Sequence, residues 1–201
     1  MKTKRSYTLG ARAEAVVSTR ERIVREAMQL LFDNYYEDVT LAEIARAAAV
    51  SHQTVLNHFS SKEGVALAVA ELLTSETTDA RYRAVPGDVN DAVAVLVGEY
   101  ERFGDANARW AAASERLGSL ATILDGARAS HQAWLEHCFG PRLPEGRADR
   151  RRAVNALHAA TDVYTWKLLR RDLGLSRAET TQTLIQLVEG ILGQQSQEAA
   201  R

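Results

Sequence analysis

The sequence predicts an all-α protein of about nine helices, and three observations support that prediction. Apolar residues recur along most of the 201-residue chain at the 3.6-residue spacing of a helix, and polar capping residues precede several of these stretches. No segment alternates apolar and polar residues for long enough to indicate a strand. With 46% hydrophobic residues, 25% charged residues and 3 prolines, the chain can bury a core.

The first two helices are predicted from their caps. Thr19 is placed to begin helix one, and its apolar stripe consists of Ile23, Val24, Ala27, Met28, Leu31 and Phe32. Asn34 is predicted to end that helix in a left-handed conformation. Thr40 and Glu43 form a Thr-x-x-Glu capping box, which predicts the start of a short second helix.

Helices three and four follow closely. Ser51 is the next predicted cap, and Val55 and Phe59 lie four residues apart on one face of the third helix. Ser60 with Glu63 is a second capping box, which predicts a longer fourth helix. Two short helices joined by a tight link, the second with a capped polar start, are typical of a helix-turn-helix. The alternative is an ordinary helical corner.

The rest of the chain is predicted to form a second, all-helical part. The stretch "YRAVPGDVND" contains a loop and a cap signal, and glycines separate further apolar repeats. The predicted helices lie near 89–103, 106–116, 119–138, 147–172 and 177–194. The resulting domain prediction is a basic arm over 1–18, a helix-turn-helix domain over 19–66 and a helical domain over 67–201.

Charge is distributed unevenly along a chain whose net charge is -1. Residues 1–25 contain seven basic and two acidic side chains, whereas residues 26–64 contain two basic and six acidic ones. A solvated, disordered start is the alternative reading of the basic end. No signal peptide or membrane span is visible, and Cys138 is the single cysteine. We therefore expect a cytoplasmic protein with no structural metal, no cofactor and no membrane partner.

One long segment resembles a known family. The residues that carry the resemblance lie in "TRERIVREAMQLLFDNYYEDVTLAEIARAAAVSHQTVLNHFSSKEGVALAVAELL", and they are Thr19, Ile23, Ala27, Leu31, Phe32, Thr40, Ile44, Ala45, Val50, Ser51, Thr54, Phe59, Lys62 and Glu63. Across about fifty residues this segment resembles the N-terminal domain of the tetracycline-repressor (TetR) family. The resemblance implies a DNA-binding regulator whose second domain binds a small molecule and pairs two copies.

The segment also departs from the family pattern. Ala49 stands in the turn where the family usually has glycine, so the turn must be made without the residue that most easily takes a positive φ. Leu56 and His58 replace an aromatic pair of the family's third helix. The sequence therefore lacks the aromatic side chains with which the family commonly contacts DNA at these two positions.

The third helix is predicted to read DNA with neutral side chains. Gln53 and Asn57 can each pair with adenine, and Leu56 can touch a thymine methyl. Lys62 and the arginines of helix one are expected to hold phosphates. The predicted DNA-binding set is Arg20, Arg22, Thr40, Ser51, His52, Gln53, Thr54, Leu56, Asn57, His58 and Lys62. The alternative is that the two amides are merely solvated.

The central helices hold aromatic residues that suggest a small-molecule site. The predicted ligand-binding set is Tyr100, Phe103, Trp110, His131, Trp134, Asp162, Thr165 and Trp166. Packed core is the alternative for each of them. The last helix carries an apolar stripe, and its predicted homodimer interface consists of Leu184, Leu187, Val188 and Ile191. That stripe can instead serve the core of a single chain.

The predicted function is a ligand-responsive repressor that binds a palindromic operator as a homodimer. A helical module that binds only a small molecule or a protein is the alternative, but it has no need of the Thr54 and Lys62 pattern. Catalysis is not expected, because the sequence contains no nucleophile elbow, phosphate loop or zinc motif. His158 and Asp162 stand four residues apart, and we interpret them as a structural pair.

Overall fold

The computed structural model describes the backbone of residues 4–198 and the side chains of residues 14–193, except at positions 115, 116 and 119. Within this range every regular element is helical, which confirms the all-α prediction. The helices are α1 (Lys4–Asp33), α2 (Leu41–Ala47), α3 (His52–Phe59), α4 (Lys62–Arg81), α5 (Val89–Arg116), α6 (Ala121–Phe139), α7 (Arg147–Thr161), α8 (Val163–Lys167) and α9 (Arg177–Glu198). The chain divides into two compact units, Met1–Leu73 and Thr74–Arg201.

The N-terminal unit packs α1, α2, α3 and the first turns of α4 around one apolar core. Ile23, Ile44 and Val55 are fully buried there, one from each of the first three helices. The Thr40 capping box is confirmed: the Glu43 amide donates to Thr40 Oγ1 at 3.2 Å, and the Thr40 amide donates to the Glu43 carboxylate at 2.8 Å. Two bonds thus satisfy amides that the start of a helix leaves open.

Helix α1 begins earlier than predicted. Thr19 lies inside it, where its hydroxyl donates to the carbonyl of Ala15 at 2.8 Å, so its prediction as an N-cap was wrong. The preceding residues of α1 include three alanines and two arginines, which favour helix and carry α1 through Thr19. The side chains of the predicted basic arm before residue 14 lie outside the described residues.

Two predictions about helix ends were also wrong. Asn34 does not take a positive φ; its side-chain amide instead donates to the carbonyl of Leu30 at 2.9 Å. Ser60 ends α3 with φ 63°, and Ser61 caps α4 by accepting from the amide of Gly64 at 3.2 Å. A Cβ on Gly64 would lie 2.0 Å from the Phe59 carbonyl oxygen, so only glycine lets α4 begin this close to α3.

The second unit packs α5 to α9 around a larger core. Its largest fully buried side chains include Leu96, Trp134, Leu157, Trp166 and Leu184. Asp88 caps α5 by accepting from the amide of Asp91 at 3.0 Å, as the loop signal predicted. Helix α9 packs against α5 and α7. No helix among residues 4–198 has both the length and the apolar character needed to cross a membrane.

The predicted breaks within this unit were partly wrong. Gly104 does not separate two helices, because α5 runs through it without interruption. The predicted helix over 147–172 breaks at Asp162, which has extended backbone (φ -66°, ψ 152°) and whose side chain accepts from the amide of Tyr164. A wide π-type turn over Leu168–Asp172 ends α8.

Candidate functional site

The turn between α2 and α3 places Ala49 at a positive φ, which is costly for a residue that has a Cβ. Ala49 has φ 51°, which confirms that this turn takes a positive φ without glycine. Two backbone hydrogen bonds close it: Val50 donates to Ala45 at 2.9 Å and Ala49 donates to Arg46 at 3.1 Å. The turn fixes the direction in which α3 leaves α2.

Arg22 supports this turn from α1. Its Nε donates to the carbonyl of Ala48 at 2.9 Å, the residue before the strained alanine. Arg22 belongs to the predicted DNA-binding set, and the structure shows at least one of its donors used within the protein. Arg20, also in that set, is exposed and lies over the ring of Phe59, with its guanidinium carbon 5.1 Å from the ring centre.

Helix α3 separates a buried face from an exposed one. Ser51 caps it by accepting from the amide of Thr54 at 3.0 Å, and Val55 and Phe59 are buried, as predicted. His52, Gln53 and Asn57 are exposed, whereas Thr54, Leu56 and His58 are half-buried. The Thr54 hydroxyl also lies 2.8 Å from that of Ser51. The exposed face carries no lysine, arginine or carboxylate.

Gln53 and Asn57 contact each other on that face. Gln53 Nε2 donates to Asn57 Oδ1 at 2.9 Å, across the four-residue spacing that places side chains side by side on a helix. The sequence predicted two separate amides. The structure shows a pair.

Lys62 at the start of α4 is held by the turn that follows α1. Its Nζ lies 4.2 Å from the ring centre of Tyr36 and donates to the carbonyl of Glu37 at 3.4 Å. Burial lowers the pKa of Lys62 despite the acidic residues around it. Burial, with Glu63 nearby, raises the pKa of Tyr36 to about 12, so the phenol stays protonated beneath the ammonium group. Lys62 is therefore positioned before any partner arrives.

The second unit contains a buried polar cluster around Arg81. The Arg81 guanidinium donates to both carboxylate oxygens of Glu99, at 2.6 and 2.8 Å, and its Nη1 lies 3.1 Å from His131 Nδ1. Trp134 Nε1 donates to the Arg81 carbonyl at 3.0 Å. Among the predicted ligand residues, His131 and Trp134 belong to this cluster. Arg81 and Glu99 were not predicted from the sequence, because their pairing across 18 residues has no local signature.

The hydrogen bonds of this cluster define the protonation of His131. The Thr161 hydroxyl donates to the Leu157 carbonyl at 2.7 Å, so its oxygen is left to accept from His131 Nε2 at 2.8 Å. His131 Nδ1 must then accept from Arg81, because guanidinium has only donors. Burial, with Arg81 and His158 adding to it, lowers the pKa of His131 to about 3. The imidazole is therefore neutral, with its proton on Nε2.

Tyr100 and Asp162 lie near the same cluster. The Tyr100 hydroxyl donates to the Thr161 carbonyl at 3.0 Å, and burial raises its pKa. Asp162 Oδ2 lies 3.6 Å from His158 Nε2. Burial opposes the ionisation of Asp162, but the imidazole and the Tyr164 amide hold its pKa below the usual value. His158 and Asp162 thus form a pair in the structure, as interpreted from the sequence.

Trp166 lies on the other side of Tyr100, with ring centres 5.8 Å apart. It is fully buried against Gly104 of α5, where a Cβ would lie 2.4 Å from the indole. Its Nε1 donates to Glu101 at 3.3 Å, and Glu101 also accepts from Arg170 at 2.7 Å. Trp166 is part of a packed and hydrogen-bonded core.

The remaining predicted ligand residues are less buried. Phe103, Trp110 and Thr165 are half-buried, and the Thr165 hydroxyl donates to the Ala159 carbonyl at 2.6 Å. A separate open groove of ≈ 470 Å³ lies between α6 and α7, where Ala133 and Arg151 contribute to its walls. None of the eight predicted ligand residues lines that groove. The ligand site stays a prediction.

The four predicted dimer residues fall into two groups. Leu184 and Val188 are fully buried in the core of their own chain, so the alternative reading holds for both. Leu187 is 42% exposed, and Ile191 is half-buried against that core. Leu168 and Leu173, near the end of α8, are also exposed. Of the predicted interface, Leu187 presents the most apolar surface to a partner.

Comparison with known proteins matches one segment of the chain to a family model. Residues 23–69 match the family model described as bacterial regulatory proteins, tetR family. Over this segment the chain is similar to the tetR family. The match lies in the N-terminal unit and covers the part of α1 after Arg22, α2, α3, the turn between them and the start of α4.

Two HTH-type transcriptional regulators match the chain over part of their length. The HTH-type transcriptional regulator TcmR of Streptomyces glaucescens is 41% identical over 58 residues, which are 29% of this chain and 26% of TcmR. The HTH-type transcriptional regulator AlkX of Mycobacterium tuberculosis is 26% identical over 84 residues, which are 42% of this chain and 40% of AlkX. The chain thus matches less than half the length of either relative.

The likeness in fold extends further. A tetR-family transcriptional regulator from Streptomyces coelicolor shares the fold with a TM-score of 0.71, over 90% of this chain and 83% of that one. The sequences are 19% identical, so the similarity is one of architecture. This likeness in fold includes the helical second unit. It does not indicate which ligand that unit binds.

Proposed function

We propose that this chain is a ligand-responsive transcriptional repressor of the tetR family that binds a palindromic operator as a homodimer. The observation that carries the proposal is the geometry of α2, its strained turn and α3, which exposes His52, Gln53 and Asn57 while burying Val55 and Phe59. A helix that exposes amides and lacks charge suits the edges of bases in the major groove. Both matched relatives are named as transcriptional regulators.

The charged contacts with phosphates are assigned to residues outside α3. Lys62 is held near the start of α4 by Tyr36 and Glu37, so its ammonium group loses little freedom on meeting a phosphate. Arg20 is exposed on α1 and contributes a second positive group. We assign Arg22 mainly to supporting the turn. Thr40, Ser51, Thr54 and His58 lie on α2, α3 or their caps and remain candidates for the flanking backbone.

The effector is proposed to bind in the second unit. Its core joins aromatic rings to a neutralised polar cluster, with Arg81 paired to Glu99 and His131 uncharged. A neutral, partly aromatic molecule suits such surroundings better than a strongly charged one, because burying an unpaired charge is costly. The ligand regulates only through a difference in its affinity for DNA-bound and free protein.

We test the function by selecting duplexes from a random pool with the purified chain and measuring affinity for the enriched sequence. Enrichment of a two-fold symmetric site bound by a dimer supports the proposal. If no sequence is enriched, the proposal is refuted, and a module that binds only small molecules or proteins is favoured. Because operator DNA is its proposed partner, we assign the protein to the bacterial cytoplasm.

The ligand response is tested separately. Compounds that quench the fluorescence of Trp134 or Trp166 should release operator DNA over the same range of concentration. Quenching that leaves DNA affinity unchanged would show a binding site without regulation.

A further inference from the structure

The contact between Gln53 and Asn57 has a consequence for which base this protein reads. Both side chains are exposed on α3, and their amides are joined by a hydrogen bond of 2.9 Å. We propose that they act as one coupled reader of a single adenine in each half-site, instead of two readers of two adenines. This inference rests on the proposed DNA-binding function and specifies how its recognition helix discriminates.

The hydrogen bond determines what the pair presents to DNA. Gln53 Nε2 and Asn57 Oδ1 face each other, so Gln53 Oε1 is the fully free acceptor of the pair and Asn57 Nδ2 is its fully free donor. The major-groove edge of adenine has the opposite arrangement, with a donor at N6 and an acceptor at N7. Rotating both amides by a half-turn exchanges the two roles and keeps one donor and one acceptor. In this arrangement the fully free donor and the fully free acceptor come from different side chains, so the pair offers adenine a complement that the two residues share.

The other bases satisfy this pair less well. Guanine presents two acceptors, N7 and O6, so the free carbonyl of the pair would meet an oxygen. Cytosine offers only a donor and thymine only an acceptor, which leaves one of the two amides without a partner. A polar group that loses water without gaining a hydrogen bond weakens the complex. The pair thus selects adenine over the other three bases.

The surroundings of the pair favour coupling. No charged side chain lies on α3 between His52 and Phe59 to draw either amide away. Because the two side chains are already joined, fewer rotamers are lost when DNA binds. Removing either amide leaves the other without the neighbour that orients it. Each single substitution should therefore abolish most of the adenine reading, and the second should add little.

The experiment uses the full chain and the duplex that it selects. Gln53→Ala, Asn57→Ala and the double variant are compared on the operator and on operators with 7-deazaadenine at each adenine in turn. We expect one adenine position to matter, with each single variant binding about 5- to 150-fold more weakly. The double variant should bind within about threefold of the weaker single variant and should not respond to loss of N7 at that position.

A matched control lies on α1. Gln29 is also exposed and also contacts a side chain four residues away, because its Nε2 donates to Asp33 at 3.0 Å. Gln29→Ala removes the same kind of surface hydrogen bond outside the proposed DNA-binding set, and its affinity for the operator should match that of the parent. Thermal unfolding checks that all variants remain folded.

The outcomes separate this inference from the function on which it rests. If the losses multiply in the double variant and two adenine positions respond to loss of N7, the amides read independently and the coupled reader is refuted, while the regulator remains. If the variants lose equal affinity for operator and random DNA, the coupled reader is also refuted, because the two amides then contact DNA without distinguishing bases. A parent protein that selects no sequence would overturn both proposals.

Discussion

Ala49 and Arg22 together hold the turn that joins α2 to α3. A non-glycine residue at φ 51° stores strain in the backbone, and the hydrogen bond from Arg22 to the preceding carbonyl helps to keep that conformation. The strain was predictable, because a helix-turn-helix needs a sharp turn and the sequence provides alanine there. The support from Arg22 was not predictable, because Arg22 and Ala48 lie 26 residues apart in the sequence.

Replacing Ala49 with glycine should stabilise the protein. Glycine takes a positive φ without the cost of about 1–2 kcal/mol that a Cβ imposes. It also increases the conformational entropy of the unfolded chain, which offsets part of this gain. We expect a net increase of about 0.5–1 kcal/mol in the free energy of unfolding, measured by urea titration followed by circular dichroism. Ala42→Gly, in the middle of α2, is the control and should lose about 1 kcal/mol. A loss at Ala49 as well would mean that its conformation is not strained.

His131 should make stability depend on pH. Its pKa is about 3 in the folded protein and near 6.5 when unfolded, so between these values the unfolded chain binds one more proton. The stabilisation is complete above about pH 6.5 and is lost as pH falls, by about 1.4 kcal/mol per pH unit. His131→Gln keeps a donor for Thr161 and an acceptor for Arg81. Urea titrations at pH 7 and pH 5 should show a smaller loss in this variant; an equal loss would contradict the assignment.

Helices were easier to predict than their breaks. Caps at Thr40, Ser51 and Asp88 act through neighbours three residues away, so local sequence is enough to find them. Gly104 is different, because glycine stands in α5 to admit Trp166 from a distant segment. Asp162 breaks a run of helix formers by capping its own next turn. Breaks decided by tertiary contacts cannot be assigned from periodicity alone.

Gly104→Ala should therefore destabilise α5 although alanine favours helix. Its Cβ would overlap the buried indole of Trp166 at 2.4 Å, and such overpacking costs about 1–3 kcal/mol. Gly98, on the same helix, is the control, since its Cβ would meet only an arginine nitrogen at 3.7 Å. Gly98→Ala should gain about 0.5–1 kcal/mol. Equal gains at both positions in thermal unfolding would refute the packing account.

At the scale of the whole molecule, we propose that one unit reads DNA and the other binds the regulating ligand. The sequence predicted the buried face of α3 correctly, because one helix of eight residues carries it and burial follows its periodicity. It predicted the ligand site less clearly, because aromatic spacing is the same in a packed core and in a pocket. The Arg81 cluster joins three helices, and nothing in a single stretch of sequence indicates it.

The dimer prediction now depends mainly on Leu187. Leu187→Glu would place two like charges near each other at a two-fold interface, and we expect dimer dissociation to increase about 10- to 100-fold. Sedimentation velocity over a range of concentrations measures the change. Gln186→Glu adds the same charge at the neighbouring exposed position and should have little effect. If both variants remain dimeric with unchanged affinity, the interface lies elsewhere.

Sequence-specific binding by α3 is the central claim, and competition between two duplexes tests it most directly. The selected operator and a scrambled duplex of the same composition are titrated at one salt concentration, and the ratio of their dissociation constants is the measurement. We expect a ratio of about 10³ or more for the parent and a much smaller ratio for Gln53→Ala, with Lys62→Ala weakening both duplexes alike. A ratio near one for the parent, or an unchanged ratio in Gln53→Ala, would contradict it.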